Sequence, residues 1–226
     1  MLAITDDVWQ LPLTPRDAIN AYLIGDVLVD TGIKQSADTI AGMLEGRQVS
    51  AIALTHAHND HAGAMKGLAE RLGVPVWCGA RDREAAESGR VVLAPAFGRP
   101  RLNALVGATA AFDGTPVART LEEGDSLTAG FTVLDTPGHS PGHVSFWREA
   151  DRTLICGDVF FNMHLLTTVP GLRQPPGLFT PDPAENRRSE RKLAALEPSN
   201  AGFGHGPVLR GDAASQLRAF VASLPV

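Results

Sequence analysis

Between residues 55 and 63 the chain reads Thr-His-Ala-His-Asn-Asp-His-Ala-Gly, which places His56, His58, Asp60 and His61 within six positions. Each ring nitrogen and carboxylate oxygen that a fold buries needs a partner. Few folds could satisfy so many from protein groups alone, whereas a divalent cation satisfies them together. Three distant segments repeat the residue types behind a glycine: Gly138-His139, Gly157-Asp158 and Gly204-His205. The competing reading of the first run is a His-rich surface turn, and the spacing argues against it.

The flanking pattern says where these residues sit. Val8 to Leu13, Ala21 to Ile24 and Val27 to Val29 read as strands, the last two joined through the Gly25-Asp26 turn as a hairpin. Residues 36–44 have a helical period, and Val49 to Leu54 is a continuous buried-type strand that ends where the histidines begin. Residues 60–72 are expected as one helix closed by Gly73, 74–78 as a strand and 81–87 as a short helix. Residues 88–115 are expected to be an irregular or partly helical excursion. Further strands are expected over 131–134, 144–147 and 153–156, and the Pro- and Gly-rich stretch 162–180 as a long lid-like loop. Asp182-Pro183 with Glu185 opens a helix that runs to about Leu196; a strand at 201–203 and a helix over 212–224 complete the chain. Strand-helix alternation makes this an α/β chain, taken as a single domain over 1–226.

His56 and His58, two apart at a strand end, point the same way and can share one metal. Asp60 and His61 open the following helix, where first-turn amides favour a carboxylate, and can serve a neighbouring metal. His139 can complete the first group and His205 the second, while Asp158, with two carboxylate oxygens, is suited to bridge both. His143 is read as a hydrogen-bonded imidazole supporting its loop. His164 is either exposed or a substrate contact or proton donor, and Asp30 either forms a turn or orients a ligand histidine.

Composition narrows the function. A net charge of −5 and a pI near 5.8 offer no basic surface for nucleic acid; the Arg187-Arg188 and Arg191-Lys192 groups read as one helix face. Cys78 and Cys156 lie in separate apolar segments and read as buried thiols. A charged, short start and the lack of a long apolar run lead to the expectation of a cytoplasmic protein with no membrane partner.

The ordered set Asp30-Thr31-Gly32, 55–63, Thr136-Pro137-Gly138-His139 with Ser140-Pro141-Gly142-His143, Cys156-Gly157-Asp158 and Gly204-His205-Gly206 resembles the metallo-beta-lactamase superfamily across nearly the whole chain. The resemblance implies a four-layer αβ/βα sandwich of two mixed β-sheets flanked by helices, with a dinuclear site at one edge. It also implies His56, His58 and His139 on the first metal, Asp60, His61 and His205 on the second, and Asp158 between them. Flavodiiron-type members carry an acidic residue where His58 stands. The best-known beta-lactamases have Cys at the Asp158 position, and type II glyoxalases add a C-terminal helical domain for which only about one helix remains here.

The expected function is therefore a metallo-hydrolase acting on a small molecule. Two divalent ions, zinc first with iron or manganese as alternatives, would be about 3.5–4 Å apart and share a hydroxide that attacks an ester, thioester or lactone carbonyl. Asp60 would orient that hydroxide and pass a proton to the leaving group. A mononuclear-iron persulfide dioxygenase on the same histidines is the alternative, and a metal-binding module without turnover a third. The oligomeric state stays open, a homodimer among the options.

Overall fold

The computed structural model describes residues 1–94, 107 and 110–225, so half of the 88–115 excursion lies outside the described residues. A mixed sheet takes its strands in chain order: β1 (Leu2–Thr5), β2 (Val8–Pro12), β3 (Asn20–Ile24), β4 (Val27–Val29), β5 (Ala51–Ala53), β6 (Val76–Gly79) and β7 (Val117–Leu121). The first four are antiparallel neighbours; from β4 to β7 the pairing is parallel. Then come β8 (Thr132–Asp135), β9 (Val144–Arg148), β10 (Thr153–Ile155), the hairpin β11 (Phe161–Met163) and β12 (Pro170–Arg173), and β13 (Asn200–Gly202). A second sheet has the order β13-β10-β9-β8, with β10 and β13 parallel.

Period-two alternation builds the layers. Tyr22, Ile24, Val27, Val29, Ala51 and Ala53 point from the first sheet toward Phe131, Val133, Val144, Phe146 and Ile155 of the second, forming the central core. Their neighbours Leu23, Leu28 and Ile52 face the other way, onto α1 (Ala37–Met43), α3 (Met65–Leu72) and α4 (Arg83–Ser88). Behind the second sheet, Leu154 and Ala201 pack on Leu193 of α5 (Pro183–Ala195) and Leu217 of α6 (Ala213–Ala222). The result is the expected αβ/βα sandwich. Strand β5 is buried on both faces, as its unbroken apolar run requires.

Three expectations need correction. The single helix over 60–72 is two, α2 (Asn59–Ala62) and α3. Gly63 donates its N–H to the Gly32 carbonyl at 2.9 Å, and a Cβ there would lie 2.8 Å from Lys34 N, so the backbone turns off the helix path to pack on 32–34. The 162–180 loop contains the β11–β12 hairpin, which pairs with neither large sheet. Strand β1 is not among the expected strands, because it is an exposed edge with little apolar signal. The α5 start is as expected: the Asp182 carboxylate accepts from Glu185 N at 2.8 Å. No helix among the described residues is long and apolar enough to cross a membrane.

Helix α5 also carries a buried carboxylate. Glu190 accepts from Gln174 Nε2 at 3.1 Å and from Asn186 Nδ2 at 3.2 Å, and burial pushes its carboxyl up to about 7. A carboxyl whose native pKa exceeds the unfolded value binds its proton more tightly when folded, so stability falls as pH rises from about 4.5 toward 7. Glu190→Gln is therefore expected to gain about 1–3 kcal/mol over the parent at pH 8 and little at pH 5, read by denaturant melts. An equal effect at both pH values would refute the assignment.

Candidate metal centre

Asp30, His56, His139, Asp158 and His205 all follow the C-terminal end of a strand: β4, β5, β8, β10 and β13 respectively. The two sheets thus bring their loops to one edge of the sandwich. There the ligand-type atoms of His56, His58 and His139 lie within 4.8 Å of one another, as do those of His56, His61 and Asp158, and those of Asp60, His61 and His205. Asp158 is central: its Oδ2 is 3.8 Å from His56 Nε2, 3.3 Å from the Nε2 of both His61 and His139, and 3.2 Å from His205 Nε2. Asp60 Oδ2 is 3.3 Å from His205 Nε2. All seven sequence-derived candidates are brought together.

In four of the five imidazoles, those of His56, His61, His139 and His205, the other ring nitrogen fixes the ring. Asp30 Oδ2 accepts from His61 Nδ1 at 2.8 Å and Ala18 O from His205 Nδ1 at 2.6 Å. Thr55 donates its hydroxyl proton to Asp30 Oδ2 at 2.8 Å, so it meets His56 Nδ1 at 3.0 Å as an acceptor. Thr180 donates to Pro176 O and accepts from His139 Nδ1 at 3.2 Å. With the proton on Nδ1, the Nε2 of each of these four rings in its neutral form is left as a ligand atom facing its neighbours. The Nε2 atoms of His56, His58, His61 and His139, and Asp158 Oδ1, are buried without a hydrogen-bond partner. Convergent lone pairs around a carboxylate are a donor set for divalent cations and poor packing without them, so the residues fit such a group.

The electrostatics follow from burial and one carboxylate. Burial pushes His56 well down and His58 to about 3. Burial also opposes charge on His61 and His205, but the carboxylates together outweigh it, Asp158 with Asp30 and Asp60 at His61 and Asp158 with Asp60 at His205, which is held up at about 10. Asp60 is opposed by burial too, yet His61 and His205 keep it below the usual carboxylate range.

Several supporting residues escaped sequence reasoning. Buried Asp82 accepts from Ala57 N at 3.0 Å, Ser140 Oγ at 2.6 Å and Gly142 N at 2.6 Å, tying the first histidine loop to the His139 loop. Asn20 and Tyr22 donate to Phe203 O at 3.1 and 2.7 Å and hold the loop before His205. Asp30, one of two readings left open, takes the orienting role. It adopts φ 61° and accepts from Thr55 N at 2.8 Å, a left-handed conformation that costs a non-glycine residue about 1–3 kcal/mol. His143 behaves as read: its Nε2 accepts from Asp158 N at 3.1 Å and its Nδ1 meets Thr136 Oγ1 at 2.9 Å.

With this geometry, known proteins are informative. The profile of the metallo-beta-lactamase superfamily matches residues 14–205. The chain belongs to that superfamily. It is 33% identical to the probable metallo-hydrolase YflN of Bacillus subtilis (strain 168) over 212 residues, 82% of this chain and 76% of that one. A hydroxyacylglutathione hydrolase of Bdellovibrio bacteriovorus is 30% identical over 119 residues, 51% of this chain but only 36% of that protein. TTHA1623, solved in a di-iron-bound form, matches with TM-score 0.67 at 31% identity over 94% of this chain and 99% of that chain.

In this member of the superfamily the mouth of the site is half apolar. Phe161, Leu165, Pro176 and Phe179 line it together with Asp60 and His205. The Phe161 ring is 4.4 Å from that of His205 and the Phe179 ring 6.3 Å from that of His58, centroid to centroid. His164 does not line this mouth; it sits in the β11–β12 turn, its Nδ1 accepting from Thr167 N at 3.2 Å, and faces an adjoining groove.

Proposed function

We propose that this metallo-hydrolase holds two divalent cations, one among His56, His58 and His139 and one among Asp60, His61 and His205, with Asp158 facing both, and hydrolyses an ester, thioester or lactone bond of a small molecule. The observation that carries the reading is the set of buried, partnerless Nε2 and carboxylate atoms aimed at shared points. Bound there, such a cation pair supplies a water that ionises near neutral pH and Lewis acidity toward a carbonyl oxygen.

The protein's own side chains do the rest. Asp60 is the partly exposed member of the cluster, kept ionised by His61 and His205, and its carboxylate faces the mouth. It can take a proton from the attacking water and hand it to the departing oxygen or sulfur. Phe161, Leu165 and Phe179 exclude bulk water and seat an uncharged acyl group. Zinc is proposed first. Iron is supported by the di-iron form of TTHA1623 and keeps the persulfide dioxygenase as a second reading.

The test pairs metal analysis of protein purified without added metal with a panel of esters, thioesters and lactones. His58→Ala is expected to lose one cation equivalent and at least about 100-fold in kcat/KM. Equal rates for the two proteins would remove the hydrolase reading. Oxygen uptake with a persulfide, and no acyl turnover, would favour the dioxygenase.

A further inference from the structure

An apolar groove adjoins the metal centre. Its wall comprises Phe161, Met163, Leu165, Leu166 and Pro176, with His164, Arg173 and Gln174 as polar members. Phe161, Leu165 and Pro176 also line the mouth of the site, so the groove and the mouth adjoin across those side chains. The β11–β12 turn beside it exposes Leu166 at 91%, Val169 at 54% and Leu165 at 42%. Large aliphatic side chains gathered at the lip of a reaction site carry a solvation cost that an apolar ligand removes. The hairpin bearing them pairs with neither large sheet, so nothing in the sandwich requires leucines at its tip.

We infer that the groove takes the unbranched alkyl tail of the acyl group, and that Leu165 and Leu166 set the chain length the enzyme prefers. The inference rests on the acyl-hydrolase reading for its chemistry. With the scissile carbonyl beside Asp60 and His205, a tail leaving the mouth past Phe161 and Leu165 enters the groove, where each methylene covers apolar wall. A bulky or sugar-bearing acyl group covers less of that wall. Full burial of a methylene is worth about fourfold in affinity, and a groove open on one side returns about two- to fourfold.

The experiment uses the full chain loaded with zinc. Calorimetric titration with unbranched carboxylates of increasing length, the acid products of the series, reads binding without turnover; hydrolysis of the matching esters and thioesters reads kcat/KM. Both are expected to climb about two- to fourfold per methylene over the first several methylenes and then level off. Leu166→Asp, at a position too exposed to matter for folding, is expected to flatten both slopes, as is Leu165→Asn. Leu2→Asp, on the edge strand β1, should leave them intact. A rising titration slope without ester turnover would refute the hydrolase reading and leave the groove assignment standing. Turnover that ignores chain length would refute the groove and leave the hydrolase. Should Leu166→Asp turn a sedimenting dimer into a monomer with both slopes unchanged, the groove belongs to a second copy of the chain and the inference falls.

Discussion

Stripping divalent cations from the purified protein with a chelator is expected to lower its thermal midpoint by about 10–20 °C, and returning zinc to restore it. The size follows from what the centre leaves undone on its own. Four imidazole Nε2 atoms and Asp158 Oδ1 are buried without partners, while Thr55, Asp30 and Thr180 hold the His56, His61 and His139 rings so that these cannot turn away. A site at a free cation concentration 1,000 times its Kd adds about 4.1 kcal/mol, and a chain of this length gains roughly 2–4 °C per kcal/mol. One site therefore gives about 8–16 °C and a second site adds to it. Differential scanning calorimetry with metal analysis of the same samples checks this. A midpoint that holds within about 2 °C after verified metal removal would show that protons on His61 and His205 replace the cations at no cost.

Residues 55–61 could be read because the relevant chemistry is local: four donors in six positions leave one economical explanation. The layers could be read from alternation, since Leu23 and Leu28 against Tyr22, Ile24, Val27 and Val29 sort onto two faces by parity alone. What could not be read depends on distance. Asp82 sits in Arg81-Asp82-Arg83, a stretch with the look of a solvated helix start, and its partners are Ala57, Ser140 and Gly142. Asn20 and Tyr22 pass for ordinary strand residues until Phe203, more than 180 positions later, comes beside them. The break at Gly63 is set by the backbone of 32–34, which no helical period reports. In the 162–180 stretch, Pro170, Gly171, Pro175 and Gly177 mask the short strands as a loop.

Asp82→Ala is expected to destabilise the fold by about 3–5 kcal/mol and to weaken cation binding at the His56, His58 and His139 group by about 10–100-fold. Its three acceptor bonds join backbone and side-chain donors on two loops that no strand pairing connects. Without the carboxylate, Ala57 N, Gly142 N and Ser140 Oγ lose their acceptor in a place water reaches poorly; each buried orphan costs about 1–3 kcal/mol. The same loss frees the loop bearing His56 and His58 to move against the loop bearing His139, so the first group loses preorganisation before the second, which rests on Asp30, Asn20 and Ala18. Asp82→Asn separates charge from geometry: three donors converge on the two oxygens, and an amide must turn its own NH2 toward at least one of them. It is expected to fall between the parent and the alanine variant in both stability and affinity. Titrating zinc into chelator-treated proteins, with stoichiometry and the two affinities resolved by competition, reads the effect. Equal weakening of both sites, or unchanged affinity alongside lost stability, would show that Asp82 supports the sandwich as a whole rather than the register of the two histidine loops.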